Sequence, residues 1–164
     1  MKLTEPIKVG TMNLKNRIVY PPIENLFNNA DGSVSDELLA YYKERAKGGA
    51  GLIIVQNSNV DGKASRSAIC QLSIHNHHMI AGLNRLAETI KENGAHAMIQ
   101  LGHGGRQTSP DSQPGIMDVA PSPIASTAVG VVPRPLTRPE IVEIEDAFAA
   151  AAVRAQMAGF DGVE

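Results

Sequence analysis

Three short apolar runs, Arg17 to Tyr20, Leu52 to Gln56 (LIIVQ) and Ala97 to Leu101 (AMIQL), are each followed by a segment of helical periodicity. This alternation constrains the fold more than any other feature of the chain. Runs with little polar alternation suit strands covered on both faces, the condition of a parallel sheet. After the first run, Ser35 can cap a helix from Asp36 to about Lys47, with Leu38, Leu39, Tyr42 and Ala46 at helical spacing and Gly48-Gly49 as its stop. After the second, Met79, Ile80, Leu83, Leu86, Ala87 and Ile90 form a stripe that Asn93-Gly94 closes. The third helix opens on a capping box, Thr137-Arg138-Pro139-Glu140. It then carries Ile141, Ile144, Phe148, Ala151, Ala152 and Ala155 on one face before Gly159. The closing stretch Ala158-Gly159-Phe160-Asp161-Gly162-Val163-Glu164 reads as a helix stop leading into another strand. The order βαβαβα predicts an α/β fold of parallel strands joined by right-handed crossovers. An open doubly wound sheet and a (β/α)8 barrel both satisfy it, and spacing alone does not choose between them.

At 164 residues, with 43% hydrophobic and 20% charged residues, the chain has the length and composition of one globular domain with a real core. A net charge of -2 and the lack of any Lys/Arg run give no field to attract a phosphate backbone, so nucleic acid is not an expected partner. The N-terminus MKLTEPIKVG has no apolar segment of signal-peptide length, and no run of membrane-spanning length follows. A cytoplasmic location without membrane contact is the expectation. The single cysteine, Cys70, has no partner for an internal disulfide or a CxxC site. No internal repeat is evident beyond the βα alternation.

A long loop rich in Pro, Ser and Gly, Gly102 to Leu136, leaves the C-terminal end of the third strand, the end at which both candidate architectures build ligand sites. It begins Gly102-His103-Gly104-Gly105-Arg106, which reads either as a cradle for an anion or as a turn needing positive φ; Gln107 stands where a dinucleotide fingerprint needs glycine. His75-Asn76-His77-His78 abuts a helix start and lacks the ligand spacing of a metal site, so a solvated helix entry is expected. Pro21-Pro22-Ile23-Glu24-Asn25 lacks amide donors at both prolines and is either a stiff strand exit or a rigid wall for a flat ligand. Gln100 closes a buried strand, so its amide is either paired inside or turned to a ligand. No Ser-His-Asp, Cys-His or paired-carboxylate arrangement can be assembled.

Leu14-Lys15-Asn16-Arg17-Ile18-Val19 leading to Pro22, Tyr42 to Gly49 leading to Gly51-Leu52-Ile53-Ile54-Val55, Gln100 to Arg106, Ala120-Pro121-Ser122 and the closing Ala158 to Glu164 occur in order along the whole chain. Together they resemble the Old Yellow Enzyme family of NADH:flavin oxidoreductases. The resemblance implies a (β/α)8 TIM barrel with FMN at the C-terminal mouth of its strands. A barrel takes roughly 250 residues, so residues 1–164 are expected to be the N-terminal part of an FMN-binding domain, about three βα units and the start of strand four. By position, it assigns cofactor contacts to Pro22 and Ile23 at strand one, Asn57 after strand two, and Gln100 on strand three. Ile23 stands where the family often has Met. Glu24 stands where it often has Cys or Thr near the flavin carbonyl, and a carboxylate there either repels reduced flavin or turns outward.

The resemblance further implies a complete protein in which NADH or NADPH reduces FMN and hydride passes to an activated alkene, a small-molecule substrate. None of the five His residues matches the family's substrate-binding positions, so catalytic residues remain unassigned. His103 and Arg106 are read as loop and mouth structure. Residues 1–164 alone are expected to be inactive and to expose sheet edges. An iron–sulfur cluster, present in some relatives, would lie beyond residue 164, and the helical outside of the barrel leaves a homo-oligomer open. The rival readings are a non-enzymatic half-barrel binding or assembly module, and a barrel isomerase or aldolase, which would need a titratable residue where Gln56 and Gln100 stand.

Overall fold

In a computed structural model, the structure describes residues 2–108, 111–112 and 115–164. Ser109, Pro110, Gln113 and Pro114 of the Gly102 to Leu136 loop lie outside the described residues.

A small antiparallel hairpin, β1 (Ile7–Val9) and β2 (Met12–Leu14), comes first, with Ile7 opposite Leu14. The sequence reading has no element here. Each strand is three residues long and largely exposed, too short to show a period. The βα series follows: β3 (Val19–Tyr20), α1 (Asp36–Lys47), β4 (Leu52–Asn59), α2 (Ile80–Glu92) and β5 (His96–Gly102). Within the long loop, β6 (Val119–Ala120) pairs in parallel with β7 (Arg134–Pro135), before α3 (Arg138–Met157) and β8 (Gly162–Val163).

Strands β3, β4, β5 and β8 form one parallel sheet in that order. The order settles what spacing could not. A doubly wound sheet reverses direction at its switch point, whereas strands laid down in simple succession put every crossover helix on the same face, as a barrel does. The core agrees. Ile53, Val55, Ala97 and Ile99 from alternate positions of β4 and β5 are fully buried with Leu38, Tyr42, Leu83, Leu86, Ile90 and Ala155 from the three helices. The other face of β5 carries the half-buried Met98 and Gln100.

The helices form where their caps and stripes place them. The Ser35 side chain accepts from the Leu38 amide at 3.0 Å and starts α1 at Asp36. In α2, Leu83, Leu86, Ala87 and Ile90 are buried, although Met79 falls in a preceding 3-10 turn capped by the Asn76 side chain, which accepts from His78 N at 2.9 Å. At α3, the Thr137 amide and hydroxyl both donate to Glu140 Oε2, at 2.7 and 2.8 Å. Its expected apolar stripe is only half core: Ala151 and Ala155 are buried, but Ile141 is 37% exposed. Twenty residues make a helix about 30 Å long, against about 23 Å for the seven-residue β5, so the first turns of α3 overhang the sheet.

Two strand boundaries also differ from the sequence reading. Only Val19 and Tyr20 of the first run pair with β4, and β4 runs on past Gln56 to Asn59. Its register against β5 shifts between Val55 and Ser58, so Gln56 and Asn57 sit in a bulge.

Candidate functional site at the strand ends

The bulge in β4 is held from both sides. The buried Gln56 amide donates to Tyr42 Oη of α1 at 2.8 Å, and Ser58 Oγ donates to the Gln56 carbonyl at 2.9 Å. Burial raises the Tyr42 pKa, against the opposing pull of the Gln56 N–H, so the phenol stays neutral. The Gln56 side chain, fully buried, turns toward the exit of β3, where its Oε1 accepts from Asn25 N at 2.9 Å. Phe27 N donates to Asn25 Oδ1 at 3.1 Å and closes a local turn. The path of Pro21 to Asn25 is therefore fixed by two prolines and one buried glutamine.

This arrangement leaves polar groups without protein partners at the strand ends. Gln56 Nε2 and Asn25 Nδ2 are buried donors with none. Among the described residues, the N–H groups of Ile23 and Glu24 donate to no protein acceptor, and the Gln100 side chain has no hydrogen bond. Buried donors are rarely left unmade unless something else completes them.

Pro22 is half-buried, Ile23 is 47% exposed, and Asn57 and Gln100 are half-buried. The four expected contact residues thus come from the ends of β3, β4 and β5, three adjacent strands. Asn57 lies within the β4 bulge, not after the strand. Its side chain crosses over Gly102: a Cβ on that glycine would fall 1.8 Å from Asn57 Oδ1, which leaves room for hydrogen alone.

Glu24 is exposed, so it takes the outward alternative, with its carboxyl only partly desolvated. Burial raises its carboxyl pKa above the ordinary value, with the Ser67 hydroxyl pulling the other way. The Gly102 to Arg106 run is a turn: Gly105 has φ +54 and begins a 3-10 turn to Gln107. His103 Nδ1 accepts from Gly105 N at 3.0 Å, and Arg106 Nη1 donates to the Ile124 carbonyl at 3.3 Å, so both residues serve the loop. In the histidine cluster, His75 Nδ1 meets Ser73 Oγ at 2.5 Å, while His77 and His78 are exposed.

Sequence reasoning took Asn25 only as the end of the proline-bearing strand exit, and treated Gln56 only as a group unable to titrate. The available signal was a glutamine ending the apolar run LIIV, a polar side chain in a place where it must be satisfied.

A profile of the NADH:flavin oxidoreductase / NADH oxidase family matches residues 2–164. The chain belongs to this family. It is 45% identical over 157 residues to an NADH oxidase of Thermoanaerobacter brockii, covering 96% of this chain and 24% of that protein. It is 37% identical over 167 residues to a cinnamate reductase of Clostridium sporogenes, covering 99% of this chain and 25% of that protein. Among solved structures, the Old Yellow Enzyme from Pichia sp. AKU4542 superposes with a TM-score of 0.88 at 29% identity, over 99% of this chain and 45% of that one. The chain thus spans between a quarter and a half of the length of these relatives, and its four-stranded sheet is part of an Old Yellow Enzyme TIM barrel.

Proposed function

We propose that the complete protein is an FMN-dependent oxidoreductase that takes reducing equivalents from NADH or NADPH and delivers hydride to an activated alkene, with residues 1–164 as the N-terminal part of its FMN-binding domain. The observation that carries this reading is the Gln100 amide, unpartnered toward the end of β5, in the same sheet whose β3 leaves by the donor-free Pro21-Pro22 exit. Backbone at Pro22 and Ile23, the Asn57 side chain in its bulge and the Gln100 amide would hold the cofactor. The orphaned Gln56 Nε2 and Asn25 Nδ2 show that the strand ends are built with more donors than the protein itself uses. FMN bound there would supply the hydride chemistry.

The chain's own residues orient and exclude. Two prolines and the Gln56–Asn25 bond hold one wall, and the Asn57 side chain lying over Gly102 forms a second. A cinnamate reductase among the relatives supports an alkene conjugated to a carboxylate as the acceptor. We place the protein in the cytoplasm; among the described residues no helix is long and apolar enough to cross a membrane. One cysteine cannot supply the thiolates of an iron–sulfur cluster, so any cluster rests on other residues, and a homo-oligomer would form on the helical outside of the barrel.

The test is anaerobic reduction of the full-length protein loaded with FMN. NADH or NADPH is expected to bleach the flavin absorption and cinnamate to restore it. Flavin that binds but is bleached by neither nucleotide would overturn the assigned activity.

A further inference from the structure

A cavity of about 540 Å³ lies where the first turns of α3 overhang the sheet, between that helix and the segment after β4. None of Pro22, Ile23, Asn57 and Gln100 lines it, so nothing in the flavin reading accounts for it. Its size is that of a site for a small molecule.

Its polar groups are unequal. At the rim, Lys63 pairs with Glu143 at 2.7 Å and Arg134 with Glu140 at 2.6 Å. Arg154 is different: it is 6% exposed, and its Nε donates to the Ile74 carbonyl at 2.5 Å. Among the described residues its guanidinium has no carboxylate partner and its terminal nitrogens make no hydrogen bond. A buried cation without a counter-ion is costly, and arginine's remaining N–H groups match a carboxylate fork. His103 adds a second donor. Because its Nδ1 accepts from Gly105 N, the neutral ring carries its proton on Nε2, which is buried, unbonded and 3.8 Å from Asp61 Oδ2.

The rest of the lining sets the ligand's charge and body. Asp61, Glu140, Glu143 and Asp146 also face the cavity, so a dianion such as phosphate would meet more repulsion than a single carboxylate. Val119, Leu136, Ile144 and Ala147 give an apolar wall, in which Ile144 belongs to the α3 stripe and stays half-buried outside the core.

We propose that this cavity binds a small organic monocarboxylate, its charged end on Arg154 with His103 Nε2–H as a further donor, and its apolar body against Ile144 and Ala147. Hexanoate is the probe, with hexanol and hexylamine as controls, titrated calorimetrically into the full-length protein. Saturable binding of hexanoate alone is expected. Arg154→Lys, which keeps the charge but loses the fork, is expected to weaken it at least tenfold. Because Arg154 also holds the Ile74 carbonyl, Ala147→Leu gives an independent check: it fills the cavity without touching a polar group and is expected to abolish binding. Absence of hexanoate binding, equal binding of hexanol, or binding that survives Ala147→Leu, as it would if hexanoate sat at the strand ends instead, overturns the proposal.

Discussion

Tyr42, Gln56 and Asn25 form a relay in which each residue has a single job. The Tyr42 hydroxyl receives a backbone N–H that the bulge removes from the sheet, and the Gln56 side chain then sets the exit of β3. Replacing Tyr42 by Phe keeps the ring and removes the acceptor for that buried N–H. Urea denaturation should show a loss of about 1–3 kcal/mol, the usual penalty for an orphaned buried donor. Glu24 makes a prediction of opposite sign. Burial holds its folded pKa above the ordinary 4.5, so the folded state binds the proton more tightly than the unfolded chain. The penalty for burying its charge is absent below the unfolded value and grows as pH rises through the folded one. Glu24→Gln should therefore melt higher than the parent near pH 7, with the difference vanishing at about pH 4; a difference unchanged between the two would refute the assignment. At this scale the sequence was partly legible. Pro22 and Gln100 stand out by residue type at a strand end, whereas Ile23 is named by the resemblance alone. Asn25 does not stand out, because its role depends on a bulge that no local pattern encodes.

The elements show the same division between local and long-range information. The start of α1 at Asp36 was legible because Ser35 and its receiving amide are three residues apart. The stripe of α3 was misread at its N-terminal end because burial there depends on the length of a different element, β5. The β6–β7 pair was invisible, since two-residue strands carry no period and their partners are fifteen positions apart. Between β5 and β8, the Asp161 carboxylate accepts from the Ala97 amide at 3.0 Å and meets His96 at 3.1 Å and Lys91 at 3.4 Å. Burial raises its pKa, but the Ala97 N–H, His96 and Lys91 together outweigh burial and leave it below the ordinary 3.8. Its contribution is therefore present above that value and lost as pH falls through the folded pKa. Asp161→Ala should cost about 1.5–3 kcal/mol near neutral pH, as expected for a charge-assisted hydrogen bond, and progressively less in acid, read from denaturation midpoints.

For the whole molecule, the decisive fact is strand order. Alternation in the sequence predicted parallel strands and helices, but only the succession β3-β4-β5-β8 excludes a doubly wound sheet. Family membership rests on the match over residues 2–164, while the proposed activity rests on the proposed cofactor contacts at the strand ends. Gly102→Ala probes that end without removing any polar group: its Cβ would fall on Asn57 Oδ1 and force the side chain aside, so FMN affinity should drop while the strand pairing persists. The most direct test of the central claim is a titration of full-length protein with FMN, followed by quenching of flavin fluorescence, beside the Gln100→Ala variant. The account predicts one FMN per chain and a dissociation constant raised about tenfold in the variant, the equivalent of about 1.4 kcal/mol. Protein that binds no FMN, or a Gln100→Ala variant that binds it as tightly as the parent, would contradict it.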